Sequence, residues 1–170
     1  MKDFVRQGAL VLSGTVAASI LTYVYYALIS RAVGVAQSGL FISLISVIML
    51  AALPANVAGG VISKMSADAR ARGETAVLNA LSLYTIIAAI PIGGLAVLGA
   101  LVGSPALEMI LHTADRVLLV LTAFSIAITI ALVAQRAVFQ GAGSFATFAA
   151  SNAIEGLAKA ATGIAVWVFH

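Results

Sequence analysis

Residues 32–63 read AVGVAQSGLFISLISVIMLAALPANVAGGVIS, thirty-two positions without a charged side chain. Hydrocarbon offers backbone amides no water to bond, so a segment that crosses it must be a helix of roughly 20 mostly apolar residues. Four more uncharged runs flank this one: Gln7–Ser30, Thr75–Leu107, Val117–Gln135 and Ala137–Ile154. The last is short, and reaches spanning length when Glu155 and Lys159 are accepted inside a helix running to Trp167. The pattern predicts an all-α, polytopic membrane helix bundle with five transmembrane helices, at about 5–30, 38–63, 76–102, 116–136 and 145–169. Residues 1–170 form a single membrane domain on this reading.

Composition points the same way. Charged residues make up 9% of the 170, against about 25% in soluble domains. The net charge of +3 is too small and too dispersed for a nucleic-acid surface. Cysteine is absent, which excludes disulfides, thiolate catalysis and zinc–thiolate sites. The first apolar run is too long for a cleaved signal peptide and further spans follow it. With the N-terminus inside, inner segments hold Lys2, Arg6, Lys64, Arg70, Arg72 and Arg136, and outer segments hold Arg31 and Arg116. That bias satisfies the positive-inside rule and makes the N-terminus cytoplasmic. Tyr23, Tyr25, Tyr26 and Trp167 then fall toward the outer interface.

Glycines punctuate the junctions at 34, 39, 73, 103, 141 and 143. Pro54 and Pro91 fall inside helices 2 and 3, where each removes a donor from the carbonyl four residues earlier, at Leu50 and Ile87. They are either kinks that open a cavity or the proline content usual in membrane helices. Small residues four apart, Ala55/Gly59, Ala89/Gly93, Gly99/Gly103 and Gly156/Ala160, permit close helix approach. The segment Ser63–Glu74 reads as a short interfacial helix or loop near anionic headgroups.

The polar residues with most at stake lie on helix 5. Asn152, Glu155, Lys159 and Thr162 are spaced by three, four and three, one stripe on a helix. The two ionisable members sit close to the helix midpoint, where an unpaired charge costs roughly 2.5–3.5 kcal/mol. The stripe either lines an aqueous cavity for a charged substrate or coupling ion, or is a self-neutralising pair that joins helix 5 to a neighbour. Arg31 is an outer-interface anchor or a substrate contact. Asn56 is placed to satisfy a carbonyl freed by Pro54. Gln135, Arg136 and Gln140 flank the inner end of helix 4, Arg136 as an anchor or a phosphate contact.

Catalytic signals are thin. His112, Asp115 and Arg116 form one outer-loop cluster, and Gly141–Ser144 offers a serine with no evident base. No Walker loop, metal-ligand cluster or dinucleotide fingerprint occurs, so no enzyme, cofactor or metal is expected.

Three stretches carry a resemblance. Ser30–Gly39 (SRAVGVAQSG) followed by Leu40–Ser46 (LFISLIS), then Pro54–Glu74 (PANVAGGVISKMSADARARGE), then Phe139–Phe145 (FQGAGSF) are similar in order to segments of the oligosaccharide/polysaccharide flippases of the multidrug/oligosaccharidyl-lipid/polysaccharide exporter superfamily. The resemblance implies two six-helix lobes around a central cavity, alternating access, a lipid-linked sugar substrate, and the bacterial cytoplasmic membrane. It makes this chain most of the first lobe, with the C-terminal lobe as its missing partner beside membrane lipid. The odd helix count and the end just after helix 5 lead to the same expectation of an N-terminal portion. Asn56 stands where an aspartate is common in that family, which removes a proton-coupling acid there. Lys159 and Arg31 are then the expected anion contacts, Asn152 and Gln140 the sugar contacts, and Glu155 the group setting the charge state of Lys159. A drug exporter of the same superfamily and a non-transporting membrane subunit are the competing readings.

Single cysteines at Ala36, Ala69 and Ser104 test the orientation without background thiols. A membrane-impermeant reagent should label Ala36 and Ser104 from outside and Ala69 only after permeabilisation. The reverse pattern would invert the topology.

Overall fold

A computed structural model describes residues 2–103 and 116–169, and helix is the only regular secondary structure among them. Helix α1 covers 2–33 and α2 covers 35–71, the two meeting at Gly34. Helix α3 is Thr75–Val102, α4 is Arg116–Gly141 and α5 is Phe145–Phe169. Four segments are long and apolar enough to cross a membrane: Gln7–Val35, Gln37–Ala71, Thr75–Gly99 and Val117–Gly141. Helix α5 is the exception among the five expected spans. Its 25 residues reach about 37 Å, but Asn152, Glu155, Lys159 and Thr162 dilute its apolar content. His112 and Asp115 lie outside the described residues, as does Ser104.

Two junctions differ from the sequence expectation. The outer loop expected between helices 1 and 2 shrinks to one residue, Gly34, at φ 77° and ψ 172°, a conformation open to glycine and strained for other residues. The Ser38 hydroxyl lies 2.6 Å from the Gly34 carbonyl and 3.2 Å from that of Ser30, so polar groups freed at the break regain a partner. At the other end, α2 does not stop near residue 63. It continues through SKMSADARA, whose Ala, Met, Lys and Arg favour helix. Gly73 at φ 73° ends it: Gly73 N–H donates to Arg70 O at 3.0 Å and Glu74 N–H to Ala69 O at 2.9 Å, the paired bonds of a Schellman cap. The segment expected as a short interfacial helix or loop is therefore the helical tip of α2. Gln37–Ala71, 35 residues, is about 52 Å long and overshoots a hydrocarbon core of about 30 Å. Ala69 is only 1% exposed, so the neighbouring exposed Asp68 is the accessible labelling position.

The chain divides into two compact units. One holds α1, the start of α2 and α5; the other holds the rest of α2 with α3 and α4. Lipid tails are as apolar as leucine, so helices in a membrane gain little from burying apolar area and associate by close approach instead. Glycines mark where that happens. In the first unit, a Cβ at Gly14 would lie 2.7 Å from Ala149 Cβ, one at Gly156 3.1 Å from Ala18 Cα, and one at Gly163 3.2 Å from the Tyr25 ring. Contacts ascend together along both helices, so α1 and α5 run parallel.

In the second unit, Gly59 faces Ala137 and Gly141 faces Ser63 and Ser66, which makes α2 and α4 parallel. Gly93 against Ala127 and Thr85 against Gln135 make α3 and α4 antiparallel. Within the second unit α3 thus runs opposite to both α2 and α4, as alternate membrane crossings require. Three of the four small-residue pairs contribute a glycine to these seams. Gly99 does not, and Gly103 meets only its own helix. Beyond the seams the helices keep wide apolar faces uncovered, with Val57, Ile90 and Leu95 each 70% exposed or more. In water such a surface invites aggregation; in lipid it is the solvated face.

Gly141 is the tightest point. A Cβ there would fall 2.1 Å from Ser63 O and 2.7 Å from Ser66 Cβ, and Ser66 is fully buried. Gly141→Ala should lower stability by about 1–3 kcal/mol. Gly60→Ala, where a Cβ meets nothing within 4 Å, should be neutral or gain up to about 1 kcal/mol. Thermal unfolding in detergent separates the two, and equal midpoints would contradict the α2–α4 crossing.

Candidate functional site

Helix α5 presents two adjoining faces. Ala149, Gly156, Ala160 and Gly163 are buried and form the seam against α1. Asn152, Glu155, Lys159 and Thr162 lie about 90° around the helix from that seam, at 3.6 residues per turn. Asn152, Glu155 and Lys159 are half-buried and Thr162 is exposed. The stripe expected from spacing is therefore present, and it borders the packed surface without being buried in it.

Lys159 Nζ donates to Glu155 Oε1 in an i,i+4 ion pair, with side chains 38% and 30% exposed. The order, acid before base, is the favourable one on a helix. The pair lies level with Gly156, which meets Ala18 and Leu21 in the middle of α1. Asn152 lies one turn before Glu155. Thr162 Oγ1 donates to Ala158 O at 2.9 Å, so its hydroxyl serves its own helix. The geometry offers a cation, a carboxylate and an amide in line at mid-helix depth, a set able to hold an anionic, hydroxyl-bearing group.

The other candidates are dispersed. Arg31 is exposed near the end of α1. At about 1.5 Å per residue it stands roughly 13 Å further along the helix axis than Lys159, so the two are not juxtaposed. Asn56 and Gln140 belong to the second unit, and both are exposed. Asn56 Nδ2 donates to Ala52 O at 3.1 Å. The carbonyl that loses its donor to Pro54 is Leu50's, so Asn56 does not perform the repair expected of it. Pro54 instead lines an open apolar groove of about 610 Å³ with Ala55, Ala58, Tyr84, Thr85 and Ala131. A second apolar groove of about 600 Å³ lies between α3 and α4 beside Gly93 and Ala127.

One polar cluster escaped the sequence reading. Gln135 Nε2 donates to Ser82 Oγ at 2.6 Å, and Thr85 Oγ1 donates to Gln135 Oε1 at 2.7 Å. The signal was available: two hydroxyls three residues apart on α3, opposite the single amide of the Val117–Gln135 run. The Arg70 guanidinium donates to the Ala142 carbonyl, tying the tip of α2 to the turn after α4. Arg72 and Glu74 pair at 3.7 Å. These contacts hold helices together.

A scan of protein-family models gives no match, and searches of curated proteins and of solved structures give none. The class defined by the fold is that of an all-α protein with, among the described residues, four helices able to cross a membrane.

Replacing one member of the α5 pair strands a charge at mid-helix depth, whereas replacing both removes the problem. Glu155→Ala and Lys159→Ala should each be less stable than the double variant, by on the order of 2 kcal/mol. Membrane abundance and thermal midpoints report this, and a double variant worse than both singles would show that the pair stabilises by more than mutual neutralisation.

Proposed function

We propose that the chain belongs to a flippase that moves a lipid-linked oligosaccharide across the bacterial cytoplasmic membrane for cell-surface polysaccharide synthesis. The observation that carries this reading is the half-buried Glu155–Lys159 pair, aligned with Asn152 and set beside the α1 seam instead of within it. A pair needed only for neutrality could equally sit inside the seam. Placed at its border, it remains approachable by a ligand. Lys159 would meet the pyrophosphate and Asn152 the sugars, while the prenyl tail stays in lipid. Arg31, Gln140 and Asn56 are further candidate contacts for the substrate. Alternating access needs a second bundle to rock against the first, and the family resemblance places that bundle in a C-terminal lobe. The N-terminus would be cytoplasmic, in keeping with six inner basic residues against two outer ones.

A membrane subunit that docks a partner through α5 is the second reading, favoured by the closed state of the ion pair. Export separates them. In a strain lacking its own flippase, a protein carrying both lobes should restore surface polymer, and Lys159→Ala should abolish it even when Glu155 is also replaced, with membrane levels unchanged. Normal export by the well-expressed double alanine variant would remove Lys159 from the substrate path and favour docking.

A further inference from the structure

We propose that α2 pairs with α2 of a second copy of this chain along the line Ile42, Ser46, Met49, Leu53, Asn56 and Gly60, with the two Asn56 amides hydrogen-bonded to each other. The inference is independent of how α5 is read and holds for a transporter and a docking subunit alike.

It starts from a polar side chain that the fold leaves only partly satisfied. An asparagine amide carries two N–H donors and an oxygen that accepts two hydrogen bonds. Asn56 is exposed, and its side chain makes one hydrogen bond with the described residues, Nδ2 donating to Ala52 O at 3.1 Å. The second N–H and the whole acceptor capacity of Oδ1 remain. Asn56 lies eight residues, or about 12 Å, before Lys64, the first charged side chain on α2. In a helix that crosses a bilayer this depth falls within the hydrocarbon, where water does not complete the set.

The residues around Asn56 form a continuous line. Ile42, Ser46, Met49, Leu53, Asn56 and Gly60 follow one another at intervals of four, three, four, three and four residues. That is the 3.5-residue repeat of a left-handed helix pair. All six are exposed, and Ile42, Met49 and Leu53 are each more than half exposed. The groove that holds Pro54, Ala55 and Ala58 lies about half a turn around the helix from this line. A Cβ at Gly60 would meet nothing within 4 Å, so this glycine serves no contact inside the chain. One turn from Asn56, it lets a second backbone come near enough for a short amide to reach across.

A second copy of α2 suits the line because the amide is complementary to itself. Both copies insert in the same direction, so the twofold axis that relates them runs along the membrane normal. Such an axis sets each residue opposite its own counterpart at the same depth, and Asn56 necessarily meets Asn56. Each Nδ2 then donates to Oδ1 of the other copy, and two hydrogen bonds form with no charge carried into lipid. An unrelated helix would have to offer a donor and an acceptor together at this one depth. The pair also fixes the register, since a slip of one turn sets each amide against Leu53 or Gly60. In the dimer Asn56 faces its counterpart and is withdrawn from the substrate path.

The test combines disulfide trapping with energy transfer in proteoliposomes, using the chain's lack of native cysteine. On mild oxidation Leu53→Cys should form a disulfide-linked dimer, and Ala58→Cys, exposed on the opposite face, should not. Copies carrying donor and acceptor dyes at the N-terminus should show energy transfer that excess unlabelled chain abolishes. Asn56→Leu should weaken the association by about tenfold with helix content unchanged, and Asn56→Gln, which keeps the amide, should retain more of it. Equal trapping at positions 53 and 58, or energy transfer untouched by Asn56→Leu, would overturn the proposal. So would a chain that stays monomeric at every protein-to-lipid ratio. Trapping of Leu53→Cys on a different membrane protein in cells, with no homodimer, would give the line to that partner and equally overturn the pairing of two copies. Should Asn56→Leu fail to insert, the comparison of positions 53 and 58 in the otherwise native chain decides.

Discussion

The closeness of backbones at glycine is the constraint on which the rest of this structure depends. Hydrocarbon removes the usual reward for burying leucine against leucine, so helices adhere only where they approach closely enough for dispersion contacts and interhelical hydrogen bonds to accumulate. Gly14, Gly156 and Gly163 supply that approach between α1 and α5, and Gly59, Gly93 and Gly141 supply it in the second unit. Many large apolar residues, the core of a soluble protein, lie here on the outside, although Ile29, Leu44, Leu119 and Val138 are buried. The seams also fix rotation. With Ala149, Gly156, Ala160 and Gly163 committed to α1, the angular position of every other α5 residue follows.

That rotation is why the charged pair matters. Glu155 and Lys159 belong neither to the small-residue seam nor to the face diametrically opposite it. They occupy the flank, where a side chain is partly covered by its neighbour helix and still reachable. Elsewhere in the described spans, polar groups are consumed locally: Thr122, Ser125, Thr129 and Thr162 each return a hydroxyl hydrogen bond to their own helix. Ser82, Thr85 and Gln135 close on one another across α3 and α4. Against that background the α5 pair is distinctive because it sets an acid and a base one turn apart on a single helix.

Much of the fold was legible because the strongest rules act over whole segments. Uncharged runs located five helices, and the small-residue spacing at Gly156/Ala160 anticipated the α1–α5 seam. The same rules said little about ends. Residues 63–71, expected as a short interfacial helix or loop, instead prolong α2, because their Ala, Met, Lys and Arg favour helix. Gly34 was placed in a loop of seven residues because a single positive-φ glycine between two long helices leaves no trace in composition. At the site, spacing alone revealed the stripe, since i,i+3 and i,i+4 intervals translate directly into a helix face. Which neighbour that face meets is a property of packing, and it needed Gly156 against Ala18 to be seen.

The position of the stripe also bears on why α5 is the least apolar helix. A helix facing lipid all round would gain by replacing Asn152, Glu155 and Lys159 with leucine, and a helix used only for packing would keep the seam and discard the charges. Retaining an acid and a base at mid-helix would have a continuous energetic cost in lipid, reduced but not abolished by their pairing. Neutralisation explains why the pair is tolerated, and not why it is there. On the proposed reading of Lys159 as an anion contact, a ligand supplies the missing reason: the pairing lowers the cost of two charges, and Lys159 provides the charge that an anionic group would meet.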